Sequence, residues 1–293
     1  MRLLFKVLAL GMLLGFFGAT FGHAATPAAP ITVEVRGSGP DVVLIPGLAS
    51  SRAVWSDLAK TLEADHRVHL VQLDGFAGQP VRAAAQGPVV GPAVEAVAAY
   101  IAAAHLDHPA VIGHSLGGYS ALLLARTHPE AVGRLMVVDA LPFFSVLIDP
   151  AATAQSIAPR AAAARDAMLA QSPDAFAAGQ TRTLTMLVTS PDGRKQALEW
   201  SLASDRKVLA QAMYDVMTGD LRPDLPAIKA PTTVVYAYDA DLGLPQPNVD
   251  GLYAASYAGL PDKTLVRVDG ARHFVMLDQP AAFAKAVQAF LAR

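Results

Sequence analysis

The chain has 293 residues, of which 53% are hydrophobic and 16% are charged, and 23 Lys and Arg residues nearly balance 25 Asp and Glu residues. High hydrophobicity with few charges excludes a disordered chain, and the lack of a basic excess leaves no electrostatic footprint for nucleic-acid binding. The absence of cysteine excludes disulfides, thiol nucleophiles and cysteine-ligated metals, and no histidine pair has zincin spacing, so no metal is expected.

The first 24 residues have the pattern of a secretory signal peptide. Arg2 and Lys6 precede an apolar run up to Phe21, and the small residues Gly22 and Ala24 fit a cleavage site after Ala24. Beyond Lys6 the run has about 15 residues, fewer than the ~20 of a transmembrane helix. We therefore expect cleavage, a periplasmic or secreted protein and no stable membrane insertion afterwards. A retained anchor is the alternative.

Short β-branched runs then alternate with helical patterns. The predicted strands are Ile31–Val35, Val42–Ile45, Arg67–Leu73, Ala110–Gly113, Arg134–Asp139, Thr232–Tyr238 and Thr264–Val268. The predicted helices are Arg52–Leu62, Pro92–Ala104, Tyr119–Thr127 and Pro280–Leu291. This alternation predicts an α/β fold, a mostly parallel central sheet with helices on both faces. Ligands of such sheets bind at the carboxyl ends of the strands.

The strand pattern stops between about residues 140 and 225. Ser172-Pro173, Ser190-Pro191 and Ser204-Asp205 are helix-start signals in this stretch. We therefore expect a helical insertion over 140–225 within a core formed by 25–139 and 226–293.

A G-x-S-x-G motif, Gly113-His114-Ser115-Leu116-Gly117, stands between a predicted strand and a predicted helix. In a nucleophile elbow the serine sits on a sharp strand-to-helix turn, and the crowded turn requires the glycines. The motif alone arises by chance in some chains. The strand before Ser115 and the helix after it favour the elbow.

From this point the chain resembles the α/β-hydrolase fold family, over nearly all of residues 31–293. Leu44–Leu48 (LIPGL) is similar to the family's oxyanion loop, with Pro46 in place of its usual histidine. Asp74–Gly78 (DGFAG) resembles its D-x-x-G-x-G loop. The helical insertion resembles its cap domain, and His273-Phe274 resembles its catalytic histidine loop.

The resemblance implies a catalytic triad in the chain order serine, acid, histidine. Ser115 is then the nucleophile and His273, just after a strand, the base. His114 should point away from the nucleophile and pack near the oxyanion loop. Three carboxylates compete for the acid. Asp239 and Asp241 follow the strand Thr232–Tyr238, where the family acid normally lies, and Asp139 ends an earlier strand. We expect Asp239.

Two further expectations concern the substrate. The backbone N–H groups of Leu48 and Leu116 should form the oxyanion hole. Phe143 and Phe144 follow a strand's carboxyl end, so we expect them to line an apolar substrate site. Packing within the insertion is the alternative for these rings.

The sequence therefore predicts an exported serine hydrolase that cleaves an ester or a related acyl bond of a small, largely apolar substrate, without a cofactor. An amidase or aminopeptidase of the same fold and a catalytically silent binding module are the alternatives. Nothing in the sequence indicates the oligomeric state.

Overall fold

The computed structural model describes residues 30–82 and 87–293. The predicted signal peptide, residues 1–24, lies outside the described residues. Within the described ranges, no helix combines the length and the apolar character that crossing a membrane requires.

The described residues form a seven-stranded sheet in the order β1-β3-β2-β4-β5-β6-β7. The strands are β1 (Ile31–Gly37), β2 (Asp41–Ile45), β3 (Arg67–Leu73), β4 (Ala110–His114), β5 (Arg134–Val138), β6 (Thr232–Tyr238) and β7 (Lys263–Asp269). β1 pairs antiparallel with β3, whereas the other neighbouring pairs are parallel. The mostly parallel α/β sheet is confirmed, and β3 and β6 have the predicted bounds.

Helices cover both faces of the sheet. Successive strand side chains point to opposite faces, so Val42 and Leu44 pack against α1 and α10, while Val43 and Ile45 pack in the core beneath α2, α3 and α8. The core helices are α1 (Ser56–Leu62), α2 (Val90–Ala103), α3 (Leu116–Thr127), α8 (Gln246–Ser256), α9 (Val275–Asp278) and α10 (Pro280–Leu291).

Four helices lie between β5 and β6. They are α4 (Ala154–Ala170), α5 (Pro173–Leu187), α6 (Pro191–Ala203) and α7 (Arg206–Thr218). The hydroxyls of Ser172 and Ser190 cap α5 and α6, as the Ser-Pro signals predict. The cap of α7 is Asp205 rather than Ser204, because the Asp205 carboxylate accepts from two N–H groups of the first turn.

Some predicted helices begin elsewhere. Arg52–Trp55 is a 3-10 turn that leads into α1. α3 begins at Leu116, three residues before the predicted start, because it follows the turn at Ser115 without a linker. The sequence patterns did not predict α4 or α8.

Candidate active site

Ser115 sits between β4 and α3 in a backbone conformation that L-residues rarely adopt, with φ 54° and ψ −120°. Its N–H donates to the carbonyl of Val138 in β5, 2.9 Å away. The strained turn is held by the adjacent strand, and it places Ser115 at the carboxyl end of the sheet.

The glycines of the motif are required by the close approach of backbone segments. A Cβ on Gly113 would collide with the carbonyl of Gly117, and a Cβ on Gly117 would collide with the carbonyls of Ile45 and Pro46. The start of α3 is therefore packed directly against the loop that follows β2. This arrangement confirms the predicted crowding at the turn.

His273 follows β7, the last strand, and faces the carboxyl end of β5. Its Nδ1 lies 2.7 Å from Oδ2 of Asp139. Since an ionised carboxylate only accepts hydrogen bonds, Nδ1 carries the proton and Nε2 is left as the basic nitrogen. This is the tautomer that a general base for a serine requires.

The expectation that Asp239 orients His273 is wrong. Asp239 Oδ2 accepts instead from Nε of Arg272 at 2.6 Å. Asp241 is exposed, and its backbone N–H donates to the other oxygen of Asp239. The carboxylate that reaches His273 is Asp139, the second location considered, because its backbone φ of 45° turns the chain sharply at the end of β5.

Only 13% of the Asp139 side chain is exposed, and three donors converge on it. Oδ1 accepts from the backbone N–H of Ala237 at 3.0 Å and from the hydroxyl of Tyr253 at 2.8 Å, and Oδ2 accepts from His273. Burial alone would raise the pKa of this carboxyl, but the hydrogen bonds and the nearby imidazole hold the pKa below its usual value. Asp139 is therefore an ionised, oriented acceptor.

Tyr253 was missed by the sequence analysis, as was Arg272. Tyr253 stands 114 positions from Asp139, and no spacing links the two residues. The one signal in the sequence for Arg272 was its position directly before His273. Nη1 of Arg272 donates to the carbonyl of Thr185 near the end of α5, and its backbone N–H donates to Asp278. The histidine loop is thereby tied to the helical insertion.

His114 lies behind the elbow and is fully buried. Its Nε2 donates to the carbonyl of His273 at 2.9 Å, and a Cβ on Gly47 would lie 2.8 Å from its Nδ1. Burial, and then the nearby His273, lower the pKa of His114 to about 3, so the ring is neutral. His114 packs beside the loop after β2, as predicted.

The loop after β2 passes in front of the elbow. Gly47 lies close to the Ser115 side chain, since a Cβ at Gly47 would lie 3.1 Å from the Cβ of Ser115. Ala49, with a φ of 55°, turns the loop back. Among the described residues, the N–H groups of Leu48 and Leu116 have no hydrogen-bond partner. Both donors are thus available beside the serine.

The expectation that Phe143 lines the substrate site is wrong. Phe143 is fully buried among residues of the insertion, and the guanidinium of Arg222 lies 4.6 Å from its ring centroid. The chain turns after β5 and directs this ring into the packing of α4 and α7. Phe144 is half-buried against the same cluster.

A different apolar group covers the loop after β2. The group consists of Leu48, Ala49, Met168, Phe176 and Leu209. Three helices of the insertion contribute to it, and Phe176 and Leu209 are buried. The insertion therefore packs apolar side chains over the loop that carries Leu48.

The arrangement supplies a half-buried hydroxyl on a strained turn, an imidazole oriented by a carboxylate, and two free N–H groups. Those are the parts that nucleophilic acyl transfer needs. Among the described residues, no cluster of histidines and carboxylates could hold a metal ion.

The comparisons with known proteins agree with this architecture. The model of the alpha/beta hydrolase family matches residues 42–286, and the chain belongs to that family. It is 30% identical to the pimeloyl-acyl-carrier-protein methyl ester esterase of Chromobacterium violaceum over 87% of this chain and 95% of that protein. It is 37% identical to the esterase of that name from Aeromonas hydrophila, over 39% of this chain and 43% of the relative's length.

Among solved structures, the fold is similar to a thermophilic esterase from Thermogutta terrifontis. The TM-score is 0.73 at 20% identity, and the match covers 89% of this chain and 93% of that one. This likeness is one of fold.

Proposed function

We propose that the chain is a serine hydrolase that cleaves esters of small, largely apolar acyl groups. The observation that carries the proposal is the 2.7 Å contact between His273 Nδ1 and Asp139 Oδ2, at the carboxyl end of the sheet where Ser115 forms its strained turn. The names of the esterase relatives support ester hydrolysis. Their acyl-carrier substrate is not part of the proposal.

Each residue has a defined task in the proposed reaction. Ser115 Oγ attacks the acyl carbon while Nε2 of His273 takes the hydroxyl proton. The oxyanion that forms accepts from the N–H groups of Leu48 and Leu116, each worth about 2.7–4 kcal/mol in the transition state. Collapse expels the alcohol, which receives the proton from His273. Water then attacks the acyl-enzyme with His273 as base, releasing the acid and restoring Ser115.

Ser115 Oγ makes no hydrogen bond with any described residue. The bond to His273 Nε2 forms when substrate binds, since catalytic hydrogen bonds tighten in the Michaelis complex. Asp139 holds the imidazole in the tautomer that can accept the proton and stabilises the imidazolium that follows.

The experiment combines active-site labelling with a substrate panel. A fluorophosphonate probe should label the folded protein, Ser115→Ala should abolish labelling, and Ser120→Ala, a change at a buried serine in α3, should retain it. Absence of labelling in the unmodified protein would support the silent binding module instead.

The panel consists of p-nitrophenyl esters of increasing acyl length together with aminoacyl amides. Each buried CH₂ contributes about 0.8 kcal/mol, so kcat/KM should rise roughly tenfold or more from acetyl to butyryl. The reason for this expectation is the group of apolar side chains that packs over the loop after β2. Preference for aminoacyl amides over every ester would defeat the proposal in favour of the amidase alternative.

Export is a separate part of the proposal and rests on the first 24 residues of the sequence. Material from the periplasm or the medium should begin at Ala25 or close by when its N-terminus is sequenced. Recovery of the full-length chain from the membrane fraction would refute export with cleavage.

A further inference from the structure

The acid of the proposed triad has a buried tyrosine on the side opposite the histidine. Tyr253 belongs to α8, which packs beneath β6 and β7, and its hydroxyl donates to Oδ1 of Asp139 at 2.8 Å. Tyr253 is buried, and its ring stacks on Tyr236 with the centroids 4.4 Å apart. The ring is held by packing, so the hydroxyl has a defined position.

The tyrosine can act on Asp139 only as a donor. Burial, followed by the neighbouring Asp139 carboxylate, raises the pKa of Tyr253 well above its ordinary value, so the hydroxyl keeps its proton. Tyr253 and the N–H of Ala237 both occupy Oδ1, which leaves Oδ2 for His273. The two donors thus select which oxygen faces the base.

We infer that Tyr253 is a positioning residue of the triad: its hydroxyl keeps Oδ2 of Asp139 turned to His273 and takes up part of the carboxylate's charge. The inference rests on the proposed function, in which Asp139 orients the base. Hydrogen bonds to a carboxylate stabilise its charged form. Without the tyrosine donor, Asp139 would attract the imidazolium of His273 more strongly, and the base would hold its proton to higher pH.

Four titratable side chains of the described residues face Asp139. They are His273 after β7, Tyr253 of α8, Tyr257 directly after α8, and His114 of β4. The tyrosines stay protonated and His114 stays neutral, because burial shifts the pKa of each away from neutral pH. His273 is therefore the group on which loss of the Tyr253 hydroxyl would act.

The chain offers a matched pair of variants. Tyr253→Phe removes the hydroxyl on Asp139 but keeps the ring on Tyr236. Tyr257→Phe removes an equally buried hydroxyl one turn later, which donates at 2.8 Å to the carbonyl of Ala140 and not to a carboxylate. A purely structural role would make the two variants alike.

The measurement is the pH dependence of kcat/KM with a p-nitrophenyl ester. Tyr253→Phe should lower kcat/KM about tenfold, as loss of a hydrogen bond to a charged group does, with KM nearly unchanged. The acid limb of the pH profile of this variant should move to higher pH by about half a unit. Tyr257→Phe should lose stability without moving the limb. A limb that stays in place or moves to lower pH in Tyr253→Phe would overturn the inference.

A second measurement does not depend on esterase activity. The protonation of His273 can be followed by NMR of histidine-labelled protein, with its signal assigned by its loss in His273→Gln. Tyr253→Phe should raise the midpoint of this titration and Tyr257→Phe should not. A raised midpoint in a protein that hydrolyses no ester would refute the proposed function while supporting the role of Tyr253, and an unmoved midpoint would refute that role.

Discussion

Replacing Asp139 by Asn tests the choice of acid, and the structure predicts how the amide would sit. The N–H of Ala237 and the hydroxyl of Tyr253 both point at Oδ1. The amide oxygen must take that position, since the NH₂ group cannot accept from them. The NH₂ group then occupies the position of Oδ2 and donates to Nδ1 of His273, where the carboxylate accepted before.

This exchange reverses the tautomer of the base. With Nδ1 as acceptor, the ring proton moves to Nε2, and His273 can no longer take the proton of Ser115. A wrong tautomer of this kind lowers kcat by about 10⁴, which corresponds to about 5.4 kcal/mol of lost transition-state stabilisation. Asp139→Asn should therefore lose about that factor in kcat with little change in KM.

Asp239→Asn is the matched control. It weakens the contact with Arg272, so it should lower the melting temperature and reduce kcat by less than about tenfold. Both variants would be assayed with p-nitrophenyl butyrate near neutral pH, and their melting curves would show that they are folded. Activity within tenfold of the unmodified enzyme in Asp139→Asn, together with a collapse in Asp239→Asn, would refute the assignment.

Three further predictions concern stability. His114 has a pKa of about 3 in the fold and about 6.5 in the unfolded chain, so its burial as a neutral ring contributes stability above pH ~6.5. That stability is lost as the pH falls, and the free energy of unfolding should drop by about 2 kcal/mol down to pH ~5. Urea titrations should show this slope, and His114→Gln should flatten it. Phe143→Ala should lower the free energy of unfolding by about 3–5 kcal/mol in the same titrations, and the folded variant should keep its acetyl-ester turnover. A selective loss of activity on long esters would instead show that the ring lines the substrate site. Gly113→Ala should prevent folding or abolish activity, because the added Cβ meets the Gly117 carbonyl. Gly179→Ala is the contrasting change, because its Cβ meets no atom within 4 Å. It should stabilise α5 by about 0.5–1 kcal/mol, as thermal melts would show.

Local chemistry was sufficient for much of this molecule. The strands were predicted because buried parallel strands are short apolar runs bounded by turn residues, and that pattern is local. α10 has the predicted bounds because Pro280 opens a plainly amphipathic helix. The elbow at Ser115 was predicted because the glycines that make room for it are adjacent in sequence.

The helices of the insertion were harder to predict. α5 and α6 carry Ser-Pro starts and were located. α4 has only a Thr153–Ser156 capping box and a proline within the helix. Its position is set by packing against α7, and such tertiary contacts leave no periodic signal in a weakly amphipathic segment.

The sequence by itself determined the fold class, the nucleophile motif and the histidine loop, since each of these is written in contiguous residues. It left three carboxylates for one role, because Asp139, Asp239 and Asp241 all follow strands whose carboxyl ends meet at one edge of the sheet. Only the tertiary structure decided among them. Arg272 donates to Asp239, whereas Asp139 accepts from His273 and from Tyr253, which a helix far along the chain supplies. The orientation of a buried carboxylate depends on donors brought to it by folding, and nothing local in the sequence encodes it.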